Sequence, residues 1–218
     1  MEELETNKES TPQVPPKNRG DLPNPNRFSK KTRSKRYYKK KTIYKTLSFV
    51  EKAKYFSLME HNGANNYYYS VPYETHLTMV TDYAYKYLYL LDTRHHDNVL
   101  AACWCHDLLD STRVKYSDIE RLLNFETAEI VRCVTSDSRG RTRKERLNNG
   151  ILKEIQSSKE ATFVKVCERI ANTVYTRVKK KEVYDVFRNE YFDFAEALFR
   201  HDLSSLFKEL EKITLSPI

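Results

Sequence analysis

His106 and Asp107 stand side by side at the end of an apolar run, Asn98-Val99-Leu100-Ala101-Ala102-Cys103-Trp104-Cys105, and a second acid, Asp110, follows within a turn. A helix brings residues i and i+3 or i+4 onto one face, so His106 and Asp110 are expected to point at one small volume. An ionisable pair at the buried end of a core helix is costly unless it is paired or bound to a metal. The plain alternative is an acid-rich helix end that is merely solvated. Two more segments tip the balance. His76 lies on the stripe His76, Val80, Tyr83, Tyr87 and Leu90, and Glu168 interrupts the nearly all-apolar set Phe163, Val164, Val166, Cys167, Ile170, Ala171 and Val174. One such residue is ordinarily a satisfied core group; three core-type helices each carrying one make a constellation. Two imidazoles and two carboxylates form a four-ligand set suited to Mn²⁺, Fe²⁺ or Zn²⁺ with positions left open for water. An ion held there would lower the pKa of bound water and neutralise phosphate charge, which is what hydrolysis of a phosphate ester requires.

Holding these groups together calls for a helical frame, and the hydrophobic periodicity supplies one. A first helix is predicted from about Ser48 to Glu60, stopping at His61-Asn62-Gly63. A polar, tyrosine-rich loop over residues 64–70 leads to Pro72, which suits the first turn of the second helix. The third helix is expected over residues 97–109. Ser117-Asp118-Ile119-Glu120 reads as a capping box opening a short helix that ends near Phe125, and another helix begins near Glu126. After a polar turn around residues 136–140 comes a basic helical segment, Arg141 to Leu147. The helix from about Glu160 is expected at the centre of the bundle, and amphipathic helices over residues 183–200 and 203–213 close the chain. With four glycines in 218 residues and long 3.6-residue periods, the expected class is all-α.

Charge divides the chain in two. Residues 1–45 hold 13 Lys/Arg against 5 Asp/Glu, which accounts for the whole net charge of +8. The remainder is balanced. That first stretch has five prolines and little apolar surface to offset the entropy of ordering, so residues 1–45 are expected to be a disordered basic arm and residues 46–218 the folded domain. Residues 27–45, with Tyr37 and Tyr38 among the lysines and arginines, could grip nucleic acid or an acidic partner; a solvated tail is the plain alternative. Cys103, Cys105, Cys133 and Cys167 fall in apolar helical surroundings, and no leader-like apolar run precedes them. They are read as reduced core thiols of an intracellular, cytoplasmic protein. Cys103 and Cys105 diverge by roughly 200° on a helix and make poor partners for one zinc. No apolar run reaches the roughly 18 residues of a membrane span.

Four motifs in order resemble the HD-domain metal-dependent phosphohydrolases, and within them the RelA/SpoT-type hydrolase domain. His61-Asn62-Gly63 with Pro72-Tyr73-Glu74-Thr75-His76 looks like that family's opening motif. His106-Asp107-Leu108-Leu109-Asp110-Ser111-Thr112 is similar to its His-Asp-x-x-Glu-Asp-Thr. Residues 131–137 resemble its segment ending in Val-Thr, and Val164-Lys165-Val166-Cys167-Glu168-Arg169-Ile170-Ala171-Asn172 resembles its Val-Lys-x-x-Asp-Arg-x-x-Asn. Glu190-Tyr191-Phe192 onward looks like the closing helices of the short, hydrolase-only members. The likeness covers about residues 48–213. It implies an all-α HD-domain bundle in which His76, His106, Asp107 and Glu168 hold one divalent ion, Mn²⁺ first, with Fe²⁺, Co²⁺ or Zn²⁺ as alternatives. By the same resemblance Asp110, with Asp107, handles the attacking water, Asn172 lies near the substrate sugar or phosphate, and Lys144 and Arg146 face the substrate's phosphates. The implied substrate is a nucleotide, foremost the 3′-pyrophosphate of guanosine tetra- or pentaphosphate.

Three departures bear on that reading. Glu168 stands where the family has Asp, one methylene longer. Asp110-Ser111 replaces Glu-Asp, and Ala64-Asn65-Asn66 replaces the basic residues that meet the guanine base. They weigh against the alarmone itself more than against a metal site. Two alternatives follow: a catalytically decayed binding module of the same fold that works through its basic arm, and an HD hydrolase acting on another nucleotide or deoxynucleotide.

Overall fold

Ser48 opens the first helix, where its hydroxyl accepts from the Glu51 amide at 3.4 Å while the Glu51 carboxylate accepts from the Ser48 amide at 2.8 Å. This reciprocal cap satisfies two of the amides that a helix start leaves orphaned. Ser48→Ala is expected to cost about 1 kcal/mol, read as a fall of roughly 2–4 °C in Tm on thermal denaturation. In this computed structural model residues 44–135 and 151–217 are described. The basic arm up to residue 43 and the basic segment with Lys144 and Arg146 lie outside the described residues.

Helix α1 (Phe49–Gly63) is followed by a two-stranded hairpin, β1 (Tyr67–Tyr68) and β2 (Val71–Pro72), and then by α2 (Glu74–Tyr87). Then come α3 (His96–Cys105), α4 (Leu108–Ser111), α5 (Tyr116–Leu122), α6 (Phe125–Val134), α7 (Ile151–Ser157) and α8 (Lys159–Lys179). Helices α9 (Lys181–Asn189), α10 (Tyr191–Leu198) and α11 (Ser204–Leu215) complete an all-α bundle. Its centre is α8, the expected central helix, which packs against α2, α3, α6, α7, α9 and α11. Ala161, Phe163, Val164, Val166, Cys167, Ile170 and Ala171 are buried along it. Helix α3 runs beside it and packs on α1, α2 and α6, with every residue from Val99 to Cys105 buried. Among the described residues no helix is long and apolar enough to cross a membrane. The four cysteines are free thiols; Cys103, Cys105 and Cys167 are buried, and burial pushes their pKa values up.

Several boundaries differ from the sequence expectation, each for a local reason. A hairpin begins inside the predicted loop over residues 64–70 and runs on to Pro72, which therefore sits in β2 rather than in the first turn of a helix. Proline is tolerated there because an edge strand leaves its missing N–H unneeded. The expected helix over residues 97–109 breaks at His106-Asp107: the His106 ring bonds the Cys103 carbonyl through Nδ1 at 2.8 Å, the acceptor a continuing helix would offer to the Asp107 amide. Asp118, not Ser117, caps α5, accepting from the Lys115 amide at 3.1 Å. The helix predicted over residues 183–200 divides at Glu190, whose carboxylate turns inward to Arg169 at 3.3 Å. The Arg169 guanidinium lies 4.7 Å and 4.3 Å from the rings of Phe187 and Phe194, so one partly buried cation joins α8 to α9 and α10.

Candidate metal centre

Each candidate ligand arrives on its own element. His76 comes from the first turn of α2, His106 and Asp107 from the break after α3, and Glu168 from the middle of α8. Both imidazoles are buried, and Asp107 keeps a quarter of its side chain open to solvent. The Nε2 atoms of His76 and His106 lie 3.1 Å apart. Asp107 Oδ2 is 3.3 Å from the second of them and 3.7 Å from the first. Among the described residues these three form a group whose ligand atoms all fall within 4.8 Å of one another.

The donor set fits a divalent ion. With His106 Nδ1–H donating to the Cys103 carbonyl, its Nε2 is left to present a lone pair to the centre, the tautomer that metal-binding histidines use. Two imidazole nitrogens and a carboxylate oxygen converging in a buried volume are mutually unfavourable unless a cation or a proton sits among them. Among the described residues His76 Nδ1 has no hydrogen-bond partner, so all of the polar engagement of that ring is at Nε2, facing the cluster.

Glu168 faces the same volume and is electrostatically linked to His106 and Asp107, but it stands outside the convergent trio. Its Oε2 accepts from Lys165 Nζ at 2.8 Å and its Oε1 from Asn172 Nδ2 at 3.4 Å. Burial alone would raise its carboxyl; the charges of Lys165 and His106 outweigh that and hold it below the ordinary value. At Asp107 too, burial is overcome by the charge and hydrogen bond of His106, the charge of His76 and the hydroxyl of Tyr73, so the carboxyl lies well below its usual range. The two histidines separate in opposite directions. Burial, reinforced by the charge of His106, drops His76 to about 4. His106 meets the same burial, but the charge and hydrogen bond of Asp107 and the charge of Glu168 lift it to about 9.

The other sequence candidates fall as follows. Asn172 is at the site, accepting from the Tyr68 hydroxyl at 2.8 Å one turn beyond Glu168. Asp110 lies on the short helix α4, exposed, past the break that ends α3. The single continuous helix that was to carry His106 and Asp110 is therefore two.

Sequence reasoning did not single out the aromatic shell. Tyr68 stacks on His76 with ring centroids 4.6 Å apart, and Tyr73 donates its hydroxyl to Asp107. Tyr69 adopts φ 53° in the two-residue turn between Tyr68 and Val71, an uncommon conformation for a bulky residue. Its ring stacks parallel on Tyr175 at 5.5 Å, which helps to hold that turn. A signal for two of the missed residues was present in the spacing. Tyr73 precedes His76 by three, and Lys165 precedes Glu168 by three, so each shares a helix face with a candidate ligand.

No family model matches the chain, and no curated protein matches it in sequence. Among solved structures it is similar to one described as a metazoan ortholog of SpoT that hydrolyzes ppGpp and plays a role in starvation responses. The two share 18% sequence identity at a TM-score of 0.63, over 77% of this chain and 94% of that one. What the match carries is architecture: this chain has an all-α helical fold similar to that protein's, and His76, His106 and Asp107 are brought together within it.

Proposed function

We propose that the protein is a divalent-metal-dependent phosphohydrolase acting on a nucleotide, with the 3′-pyrophosphate of guanosine tetra- or pentaphosphate as the leading substrate. The observation that carries this reading is the convergence of His76 Nε2, His106 Nε2 and Asp107 Oδ2 on one buried point. The fold, similar to that of a ppGpp-hydrolysing protein, supports the substrate class.

His76, His106 and Asp107 would hold the ion, with Glu168 joining them when its carboxylate turns away from Lys165. Mn²⁺ is proposed first, and Fe²⁺, Co²⁺ or Zn²⁺ would suit the same donors. The ion, when bound, supplies Lewis-acid polarisation of the phosphoryl group and makes water more acidic. Asp110, exposed on α4 just past the break, is proposed to accept the proton of the attacking water. Asn172, oriented by the Tyr68 hydroxyl, would donate its amide to the substrate sugar or phosphate. Lys144 and Arg146 would neutralise the remaining phosphates.

Purification without chelator, metal quantification and a guanosine tetraphosphate assay with added Mn²⁺ test this reading. About one ion per chain together with pyrophosphate release is expected. Because the ion binds only the folded chain, Mn²⁺ at a hundred times its Kd should stabilise it by about 2.7 kcal/mol, a rise of roughly 5–10 °C in Tm that chelator reverses. Metal without turnover points to another nucleotide, which a substrate panel with phosphate detection identifies.

A second reading keeps the fold and gives up the chemistry, leaving a binding module that works through the basic residues 27–45. It is favoured by the Lys165–Glu168 ion pair, in which a lysine occupies the carboxylate that should complete the ligand set. Absence of any bound metal, with salt-sensitive nucleic-acid binding lost on deleting residues 1–45, would select it.

A further inference from the structure

His61 is buried at the C-terminal end of α1, yet it is not one of the convergent ligands. Its ring lies face to face with Tyr73, centroids 4.3 Å apart and planes 16° from parallel. The Tyr73 hydroxyl donates to Asp107 Oδ2, the same oxygen that approaches His106 and His76. We propose that Tyr73 is a positioning residue that fixes the Asp107 carboxylate in its ligating orientation, and that His61 is the stacking surface that fixes Tyr73. This rests on the metal-site reading above.

Asp107 needs such a partner. It follows a break in the helix, so no continuous helical turn holds its side chain, and a quarter of that side chain is open to water. Left alone, the carboxylate would exchange rotamers with solvent and spend only part of its time facing the imidazoles. A carboxylate oxygen has more than one lone pair, so Oδ2 can accept from Tyr73 and still face a cation. The phenol is suited to the task because a neutral hydroxyl donates to the carboxylate without competing for the ion. Tyr73 caps α2 three residues before His76, so ligand and positioning residue ride on one turn.

The far side of the relay is equally tied down. His61 Nδ1 lies 2.9 Å from Asn66 Nδ2, which also donates to the Ser111 carbonyl on α4 at 2.9 Å. Asn66 follows Asn65, whose φ of 58° turns the chain back over the end of α1. The end of α1, the approach to the hairpin and the segment after the His106-Asp107 break thus meet through one imidazole and one amide. In this arrangement the His-Asn pair gives the first motif a purpose: it fixes a ring, which fixes a hydroxyl, which fixes a ligand.

Tyr73→Phe keeps the ring and the stack and removes one oxygen, so a role in packing alone predicts no change in metal binding. The readout is the Kd for Mn²⁺ by calorimetric titration of the full chain, beside circular dichroism to confirm the fold. Affinity is expected to fall tenfold or more in Tyr73→Phe, within the range seen when a residue behind a metal ligand is lost. His61→Phe retains the stacking face but loses the bond to Asn66, so its affinity should lie between those of wild type and His61→Ala, which should weaken binding as Tyr73→Phe does. Wild-type affinity in Tyr73→Phe overturns the proposal. Should that variant fail to fold, equal affinities in His61→Phe and His61→Ala overturn it instead. A wild-type protein that binds no divalent ion overturns the functional reading and this proposal with it. A wild type that binds, beside variants that bind equally, overturns this proposal alone.

Discussion

His106→Ala is expected to abolish metal retention and to lower turnover by a factor of roughly a thousand or more, the scale on which loss of a principal electrostatic contributor acts. Its effect on the fold should be small. The side chain sits at the end of α3 rather than within the apolar stretch from Val99 to Cys105, and removing it leaves that packing in place. It also frees the Cys103 carbonyl for the Asp107 amide, so α3 can continue across the break. The far-ultraviolet spectrum should therefore be nearly unchanged or slightly more helical, while metal content falls toward zero. A variant that keeps its metal and its turnover would remove His106 from the site and the proposed function with it. The contrast with Ser48→Ala is informative, since that substitution should cost stability and leave chemistry alone.

The second large effect is on pH. In the metal-free protein His106 titrates near 9 and His76 near 4, on either side of the ordinary histidine value of about 6.5. His106 therefore binds more protons folded than unfolded between 6.5 and 9, so its stabilising contribution is complete below about 6.5 and is lost as pH rises to 9. His76 does the opposite. Its folded form resists protonation, so stability is lost as pH falls from about 6.5 to 4, and the depressed carboxyls of Asp107 and Glu168 act in the same direction at lower pH still. The chelated protein should thus be most stable near pH 6.5, with Tm falling on both sides. Metal binding follows a different curve. The ion must displace the His106 proton, so apparent affinity should rise about tenfold per pH unit up to about 9, or roughly a hundredfold between pH 7 and 9. Calorimetry at pH 7 in buffers of different ionisation enthalpy should count about one proton released per ion bound. Zero protons released, with a flat affinity profile, would mean that Asp107 and Glu168 do not hold His106 protonated.

Much of the architecture was legible along the chain. The 3.6-residue periods of the segments around His76, Val99–Cys105 and Phe163–Val174 reported helices with buried faces, and the nearly all-apolar last segment is the central helix α8. Such patterns are local, and burial of one face is nearly all that a helix needs in order to be recognised. The points where helices stop were less legible. At His106 a ring captures a backbone carbonyl, and at Glu190 a carboxylate is drawn to a cation twenty-one residues away. Neither event is written in propensities, because each depends on a partner that the fold delivers.

The candidate site divides in the same way. From the sequence alone came the identity of the ionisable residues, since His76, His106, Asp107 and Glu168 each stand where an apolar residue would be expected. Only the tertiary structure decided which of them converge. It drew His76, His106 and Asp107 to one point, set Glu168 beside Lys165, left Asp110 exposed on a separate short helix, and closed the cluster with Tyr68 and Tyr73. The reason is physical. A misplaced charge reveals itself by its own burial, whereas a ligand set is a distance between helices, and those distances are settled by how α2, α3 and α8 pack on one another.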